Sequence, residues 1–262
     1  MQRVSVGDLV YYQFDRFVED GRGLEHGCFT RLGGVSRSPW QSLNTGHTVG
    51  DDLEHVRENH ERICRALGIR RGELVSPHQV HSATVQVVGG QDRGRVCEKT
   101  DALITDTPGV YLMLRFADCV PVLFYDPVRR AVGLAHAGWR GTVKCIARET
   151  VRRMGEAFGC RPADIRAGIG ASIGPCCYEV GGEVVDAARE AFPDAPHLLS
   201  RQASGRWHFD LWAANRYQLA LEGVMQVEAA GLCTACRTDE WFSHRAEKGQ
   251  TGRLGAVIGL RE

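Results

Sequence analysis

The sequence predicts an α/β or α+β fold in a single domain spanning residues 1–262. Helical and strand periods alternate along its whole length, and no internal repeat, low-complexity tract or Pro/Ser linker interrupts them. With 262 residues, 43% of them hydrophobic, the chain is long enough to bury a substantial core.

The elements follow in order. "GDDLEHVRENHERICRALGI" reads as a helix capped by Asp51 or Asp52, because Leu53, Val56, Ile63 and Leu67 recur near a helical period. "QVHSATVQVVGG" alternates, which predicts a half-buried strand with His81, Ala83, Val85 and Val87 on its inner face. "GVYLMLRFADC" and "VPVLFYDP" read as strands, and "RRAVGLAHAG" returns from a turn at Asp126-Pro127. "GTVKCIARETVRRMGEAFGC" predicts one amphipathic helix capped by Thr142, with Val143, Ile146, Thr150, Met154 and Ala157 as its inner stripe. "GEVVDAAREAF" and "DLWAANRYQLALEGV" read as helices, and "GAVIGL" as a closing strand.

Charge and cysteine usage narrow the function. Lys plus Arg and Asp plus Glu each number 32, so bulk electrostatics offers nothing to a nucleic acid or an acidic membrane. No apolar stretch approaches membrane-spanning length, and the first residues lack the order of a signal peptide, so a cytoplasmic location is expected. Ten cysteines at irregular spacing in a chain of this size suggest buried thiols with one or a few chemically active, rather than a disulfide framework.

Cys119 and His136 stand out because they sit inside apolar runs that read as core hairpin. If an even-numbered loop joins the two strands so that Asp126 pairs with Arg129, Cys119 lies opposite His136, with Cβ atoms about 4.5–5.5 Å apart. An odd loop or a bulge would send them to opposite faces. His81 is the best third partner, since a catalytic zinc keeps three protein ligands and one open position. The alternative is a small buried thiol and two satisfied histidines. Next to His136, "GWRGT" opens the predicted helix and offers backbone N–H groups and Arg140 to an anion, or simply a tight turn anchored by Trp139. "FTRLGGVSRSPWQSLNTG", with Arg31, Ser36, Ser42 and Asn44, suits a binding loop or an ordinary connection. Cys233 and Cys236 form CxxC without a second such pair. Cys176 and Cys177 might in principle complement them, but two separate idle pairs are expected. "GIGASIG" misses the dinucleotide fingerprint, and neither a P-loop nor a G-x-S-x-G elbow occurs.

Taken together, "FTRLGGVS", "SLNTG", "QVHS", "ADCVPVLFYDP", "AHAGWRGT", "IGPCCYEVG", "DLWAANRYQL" and "FSHR…GRLGAVIGL" resemble the laccase-domain-containing family, in order, from about residue 26 to 260. That family was long described as polyphenol oxidases, and its members are now regarded as purine nucleoside phosphorylases that also deaminate adenosine. The resemblance implies a layered α/β/β/α fold with mixed sheets and a metal site, usually zinc, formed by His81, Cys119 and His136. It also makes Asn44 a substrate-pocket candidate. Arg115-Phe116 before "ADC", and His244 where a tyrosine is common, depart from the family pattern without removing a ligand.

The resemblance thus implies a zinc-dependent phosphorylase acting on adenosine, inosine or 5′-methylthioadenosine with phosphate, and an adenosine deaminase. Arg140 is expected to orient phosphate, assisted by the helix start at Thr142. Copper would also bind two imidazoles and a thiolate. Multicopper oxidation, however, needs many histidines in close array, and these ten include no H-x-H pair. Two other readings use the same residues. One is a metal-free hydrolase with Cys119 as nucleophile, acting on a cell-wall precursor amide or ester. The other is a non-catalytic nucleoside-binding protein.

Overall fold

Strands with both faces covered read as unbroken apolar runs, and three of the predicted strands do so here. The computed structural model describes residues 1–20 and 23–262. In it every residue of Val120–Asp126, Ala131–Ala137 and Leu254–Leu260 is buried.

These strands belong to two stacked mixed sheets. The seven-stranded sheet runs, in spatial order, Gln2–Val6, Leu9–Gln13, Leu24–Phe29, Leu254–Leu260, Tyr111–Phe116, Leu74–Pro77 and Val96–Cys97. The six-stranded sheet runs Gln226–Ala229, Arg166–Ile169, Val120–Asp126, Ala131–Ala137, Ala102–Thr105 and Val85–Val87. A small third sheet joins Glu179–Val180, Trp207–Phe209 and Leu199–Arg201.

Side-chain alternation assigns the layers. Leu112, Leu114, Phe116, Ala256 and Ile258 of the first sheet meet Leu103, Leu123, Tyr125, Val132 and Leu134 of the second in one inter-sheet core. The outer face of the first sheet (Tyr11, Phe29, Met113, Val257) packs on Ile63, Cys64 and Leu67 of the helix Leu53–Leu67. The outer face of the second (Ile104, Val122, Phe124, Ala135) packs on Ile146, Val151 and Met154 of the helix Ile146–Phe158 and on Leu211 and Leu219 of the helix Leu211–Leu221. The order is α/β/β/α, as the resemblance implied.

Local chemistry sets the helix ends. Asp52 accepts the N–H of Glu54 at 2.8 Å, and Gly68 closes the same helix in the left-handed region at φ 67°. Asp210 caps the later helix by accepting from Ala213 at 2.9 Å.

Three expectations are corrected. The predicted strand around His81 is ordered as a strand only over Val85–Val87, and His81 itself adopts φ 61°. The single helix predicted after "GW" is two, Trp139–Val143 and Ile146–Phe158, broken where Cys145 turns left-handed at φ 61°. Thr142 therefore lies inside the first helix rather than capping it. Ile146, Thr150 and Met154 form the buried stripe with Ala147 and Val151, whereas Val143 is half-buried and Ala157 is exposed.

The hairpin register differs by two residues. Asp126 Oδ1 accepts the N–H groups of Val128 and Arg129 at 2.8 and 2.9 Å, so residues 127–130 are consumed by the turn and Asp126 pairs with Ala131. His136 is then opposite Pro121, not Cys119. A two-residue shift preserves the face, so Cys119 becomes a diagonal neighbour of His136 on the inter-sheet side.

Leu134 lies fully buried between the sheets. Leu134→Ala is expected to cost about 2–5 kcal/mol, read as a lower urea midpoint at constant m. A change below about 0.5 kcal/mol, the range of ordinary surface substitutions, would show that the two sheets do not pack there.

Candidate metal centre and substrate cleft

Residues 117–119 carry the chain from Phe116, which ends a strand of the first sheet, to Val120, which begins one of the second. Cys119 is thereby held where the inter-sheet core opens. Asp118 beside it is clamped from both sides, by the Thr234 hydroxyl at 2.7 Å and the Arg245 N–H at 2.8 Å.

His136 arrives from the end of its strand with its ring buried. Its Nδ1 bonds Asp101 Oδ1 at 2.9 Å, and its N–H donates to the Asp101 carbonyl at 2.7 Å. A carboxylate partner on Nδ1 leaves Nε2 as the free ligand atom.

The same carboxylate places His81. Asp101 is fully buried and accepts the N–H groups of Val80, His81 and Ser82 at 3.1, 2.9 and 2.7 Å, plus the Ser82 hydroxyl at 2.8 Å. Three consecutive amides can converge on one carboxylate only if the chain turns sharply, and His81 takes the left-handed conformation at a cost of about 1–2 kcal/mol. Burial alone would raise the Asp101 pKa, but the bonds from His136 and Ser82 outweigh it and hold the carboxyl well below the usual range.

The ligand atoms of His81, Cys119 and His136 all lie within 4.8 Å of one another, and the two imidazoles meet edge to face at 4.9 Å. A tetrahedral zinc with bonds of about 2.0–2.3 Å needs ligand separations of about 3.3–3.8 Å, so small rotamer adjustments bring the three onto one ion. Burial pushes the Cys119 thiol up, yet His136 and His81 more than offset it and draw the pKa down to about 6. Burial lowers His136, while Cys119 and Asp101 raise it to about 9. By themselves the three side chains favour a thiolate beside an imidazolium, and a divalent cation supplies the same positive charge. The donor set fits zinc. Gly138 keeps the space open, because a Cβ there would stand 2.7 Å from Cys119 Sγ and 3.1 Å from His81 Cδ2.

The triad lies in a cleft of about 600 Å³ whose walls include Arg115, Arg140, Arg245 and Arg253. Trp139, Ile173, Tyr178 and Leu211 add apolar and aromatic surface, and His47, His78 and His244 also face the cavity. Arg140 lies over the Trp139 ring at 4.3 Å, and Arg245 over Tyr178 at 5.3 Å. Arg115 and Arg253 are half-buried, and desolvation lowers the pKa of both. Positive charge is concentrated here in a chain whose formal net charge is zero.

The structure brings His81, Cys119, His136 and Arg140 together as the sequence suggested. Asn44 is fully buried and does not line the cleft. Its Oδ1 accepts the N–H groups of Gly46 and Arg253 at 2.9 and 2.8 Å, and its Nδ2 donates to Asp51 at 2.8 Å, so it sets two residues that do line the cleft. Arg31, Ser36 and Ser42 are likewise spent on internal bonds, Arg31 to the Gln41 and Thr238 carbonyls and Glu247, Ser36 to Asp51, and Ser42 to the Arg31 carbonyl. Thr142 does not start a helix, and its own N–H donates to the Gly138 carbonyl at 2.8 Å. The helix there has five residues, and the hydroxyl and carbonyl of Thr142 accept from Asn215 and Gln218 instead. Asp101, Arg245 and Arg253 were missed. The only sequence signal for Asp101 was an acidic residue directly before the apolar run "ALIT".

Comparison with known proteins agrees with this geometry. The family model described as multi-copper polyphenol oxidoreductase laccase matches residues 25–261. A Bacillus subtilis protein named purine nucleoside phosphorylase YlmD is 42% identical over 246 residues, covering 90% of this chain and 88% of its own. A Deinococcus radiodurans protein named purine nucleoside phosphorylase is 42% identical over 237 residues, covering 90% and 89%. The crystal structure of YlmD from Geobacillus stearothermophilus superposes with a TM-score of 0.93 at 39% identity, over 99% of this chain and 98% of that one. The chain belongs to the family described as multi-copper polyphenol oxidoreductase laccase.

Proposed function

We propose that residues 1–262 act as one catalytic domain, a zinc-dependent purine nucleoside phosphorylase that also deaminates adenosine. One observation carries this reading: two imidazoles and a thiolate converge on one ion position inside a cleft lined by four arginines. The names of relatives up to 42% identical support its phosphorylase part. The cleft volume of about 600 Å³ falls in the range of small-ligand sites, about 300–1,000 Å³.

Phosphorolysis requires phosphate to attack C1′ of the ribose while the bond to the purine nitrogen breaks. The leaving base takes the electron pair and then a proton, and the products are free base and ribose 1-phosphate. Phosphate must first be drawn from water and aimed. Arg140 at the mouth, with Arg115 and Arg253 deeper, supplies the cations, and Trp139 offers a flat apolar surface to the purine. Asn44 acts through its bonds to Gly46 and Arg253 as a positioning residue. In deamination, water replaces the amino group at C6 and ammonia leaves. Zinc held by His81, Cys119 and His136 supplies Lewis acidity and lowers the pKa of water toward neutrality. Asp101 keeps a proton on His136 Nδ1 and so presents Nε2 to the ion.

A second reading rests on the contact between Cys119 and two imidazoles, which also suits a metal-free thiol nucleophile with a histidine base. Multicopper oxidation finds less support. Among the described residues the two groups able to hold a metal are this triad and four cysteines, and neither is a histidine-rich copper cluster.

Chromatography of products from adenosine, inosine and 5′-methylthioadenosine tests the proposal. Phosphate-dependent release of base supports phosphorolysis, and phosphate-independent inosine from adenosine supports deamination. Binding of nucleosides without any product would make this a binding protein. Asp101→Asn is expected to weaken zinc binding about 10–100-fold in competition with a chromophoric chelator, and chelation of the wild type to abolish turnover. Full activity after exhaustive chelation would pass the site to the thiol mechanism. Arg140→Ala removes a charge-assisted contact worth about 1.5–3 kcal/mol, so kcat/KM for phosphate is expected to fall about 10–150-fold. An unchanged phosphate dependence would remove Arg140 from the site.

A further inference from the structure

We propose that Cys176, Cys177, Cys233 and Cys236 form a second, structural zinc site that clips the wall of the cleft to the loop carrying Cys119. The sequence suggested two idle pairs. The structure instead gathers all four thiols, from segments some 60 residues apart, so that every sulfur lies within 4.8 Å of the others.

The spacing fits an ion better than a covalent bridge. Cys176 and Cys177 place their sulfurs 3.6 and 3.3 Å from that of Cys236. Four thiolates about 2.3 Å from a tetrahedral zinc stand about 3.8 Å apart, whereas a disulfide requires about 2.05 Å. The donor set is equally specific, since four thiolates in a tetrahedron select zinc or iron over harder cations. An independent feature points the same way. The sulfur of Cys233, the buried member, accepts the backbone N–H of Gly174 at 3.2 Å. Such donors stabilise a thiolate rather than a thiol. Cys176 and Cys236 are exposed and give the ion a route in. Binding would displace the thiol protons to solvent with no change of oxidation state.

The position gives the site its purpose. The two segments meet through one isolated bridge, Ser172 to Cys233, and otherwise run as turns. Ile173 and Tyr178, which flank the cysteine pair, line the cleft. Thr234, inside the CxxC turn, holds Asp118 at 2.7 Å, next to Cys119. A crosslink here fixes the Tyr178 wall relative to the triad. The inference does not depend on which reaction the cleft performs.

Metal analysis of protein purified under reducing conditions with zinc tests it. Wild type is expected to carry two zinc ions per chain, one for each group of ligands. Cys119→Ala should retain one, Cys176→Ser/Cys236→Ser the other, and the combined variant none. Wild-type zinc that disappears entirely in Cys119→Ala would overturn the proposal. So would iron in place of zinc, or a cystine-linked peptide joining the two segments in unreduced digests. Should the double variant fail to fold, Cys119→Ala reconstituted with cobalt decides the matter. The intense absorption of tetrahedral tetrathiolate cobalt is expected, and a weak octahedral spectrum would refute the assignment.

Discussion

The Asp101 carboxylate is the contact on which the site depends. An isolated buried charge costs several kcal/mol, so a fully buried aspartate persists only where donors surround it. Here those donors are three successive amides, one hydroxyl and one imidazole. The need to satisfy this charge folds residues 80–82 around it and supports the left-handed backbone of His81. The same charge orients His136. One buried group thus determines where two of the three ligands stand. The third, Cys119, is set by a different constraint, the passage of the chain between the two sheets.

That passage explains why the cleft lies where it does. The inter-sheet core is built of apolar side chains, and the cleft opens at the crossing of residues 117–119. Loops from both layers converge there, so arginines from a strand end, a short helix and one long connection reach one cavity. Their charge is local. Ion pairs such as Arg148 with Glu222 and Arg161 with Asp164 balance cations elsewhere on the surface, and the formal net charge stays at zero. A bulk charge count averages over the whole chain and does not register such a local cluster of arginines.

Much of the fold was legible because its signals are local. The helix Leu53–Leu67 announced its start through Asp52 and its buried face through Val56, Ile63 and Leu67, and the buried strands read as continuous apolar runs. What failed depended on a distant partner. The alternation around His81 suggested a strand, but a carboxylate twenty residues onward claims its amides. The hairpin's parity and register both turned on the length of its loop, which Asp126 sets by accepting bonds from its own turn. Asn44 looked like a ligand group because its loop is polar, and it proved to be internal scaffolding.

The four cysteines show the same limit from the other side. Local zinc motifs advertise themselves by two closely spaced pairs, and here one pair is adjacent and the other is CxxC, with 55 residues between them. Long-range pairing brings them together, through the parallel strands Arg166–Ile169 and Gln226–Ala229 and the Ser172–Cys233 bridge beyond them, and no local pattern encodes it. Ser172, Ile173 and Cys233 are buried at the bridge, but Cys176 and Cys236 lie exposed in the turns beyond it, where apolar burial does not hold them. Yet Tyr178, next to Cys177, and Asp118, bonded to Thr234, both line the cleft. A metal crosslink resolves that mismatch, since it constrains exposed turns without requiring a core beneath them. The precision of the ligand triad then rests on two unlike devices, a buried carboxylate on the His81 side and a thiolate cluster on the Cys119 side.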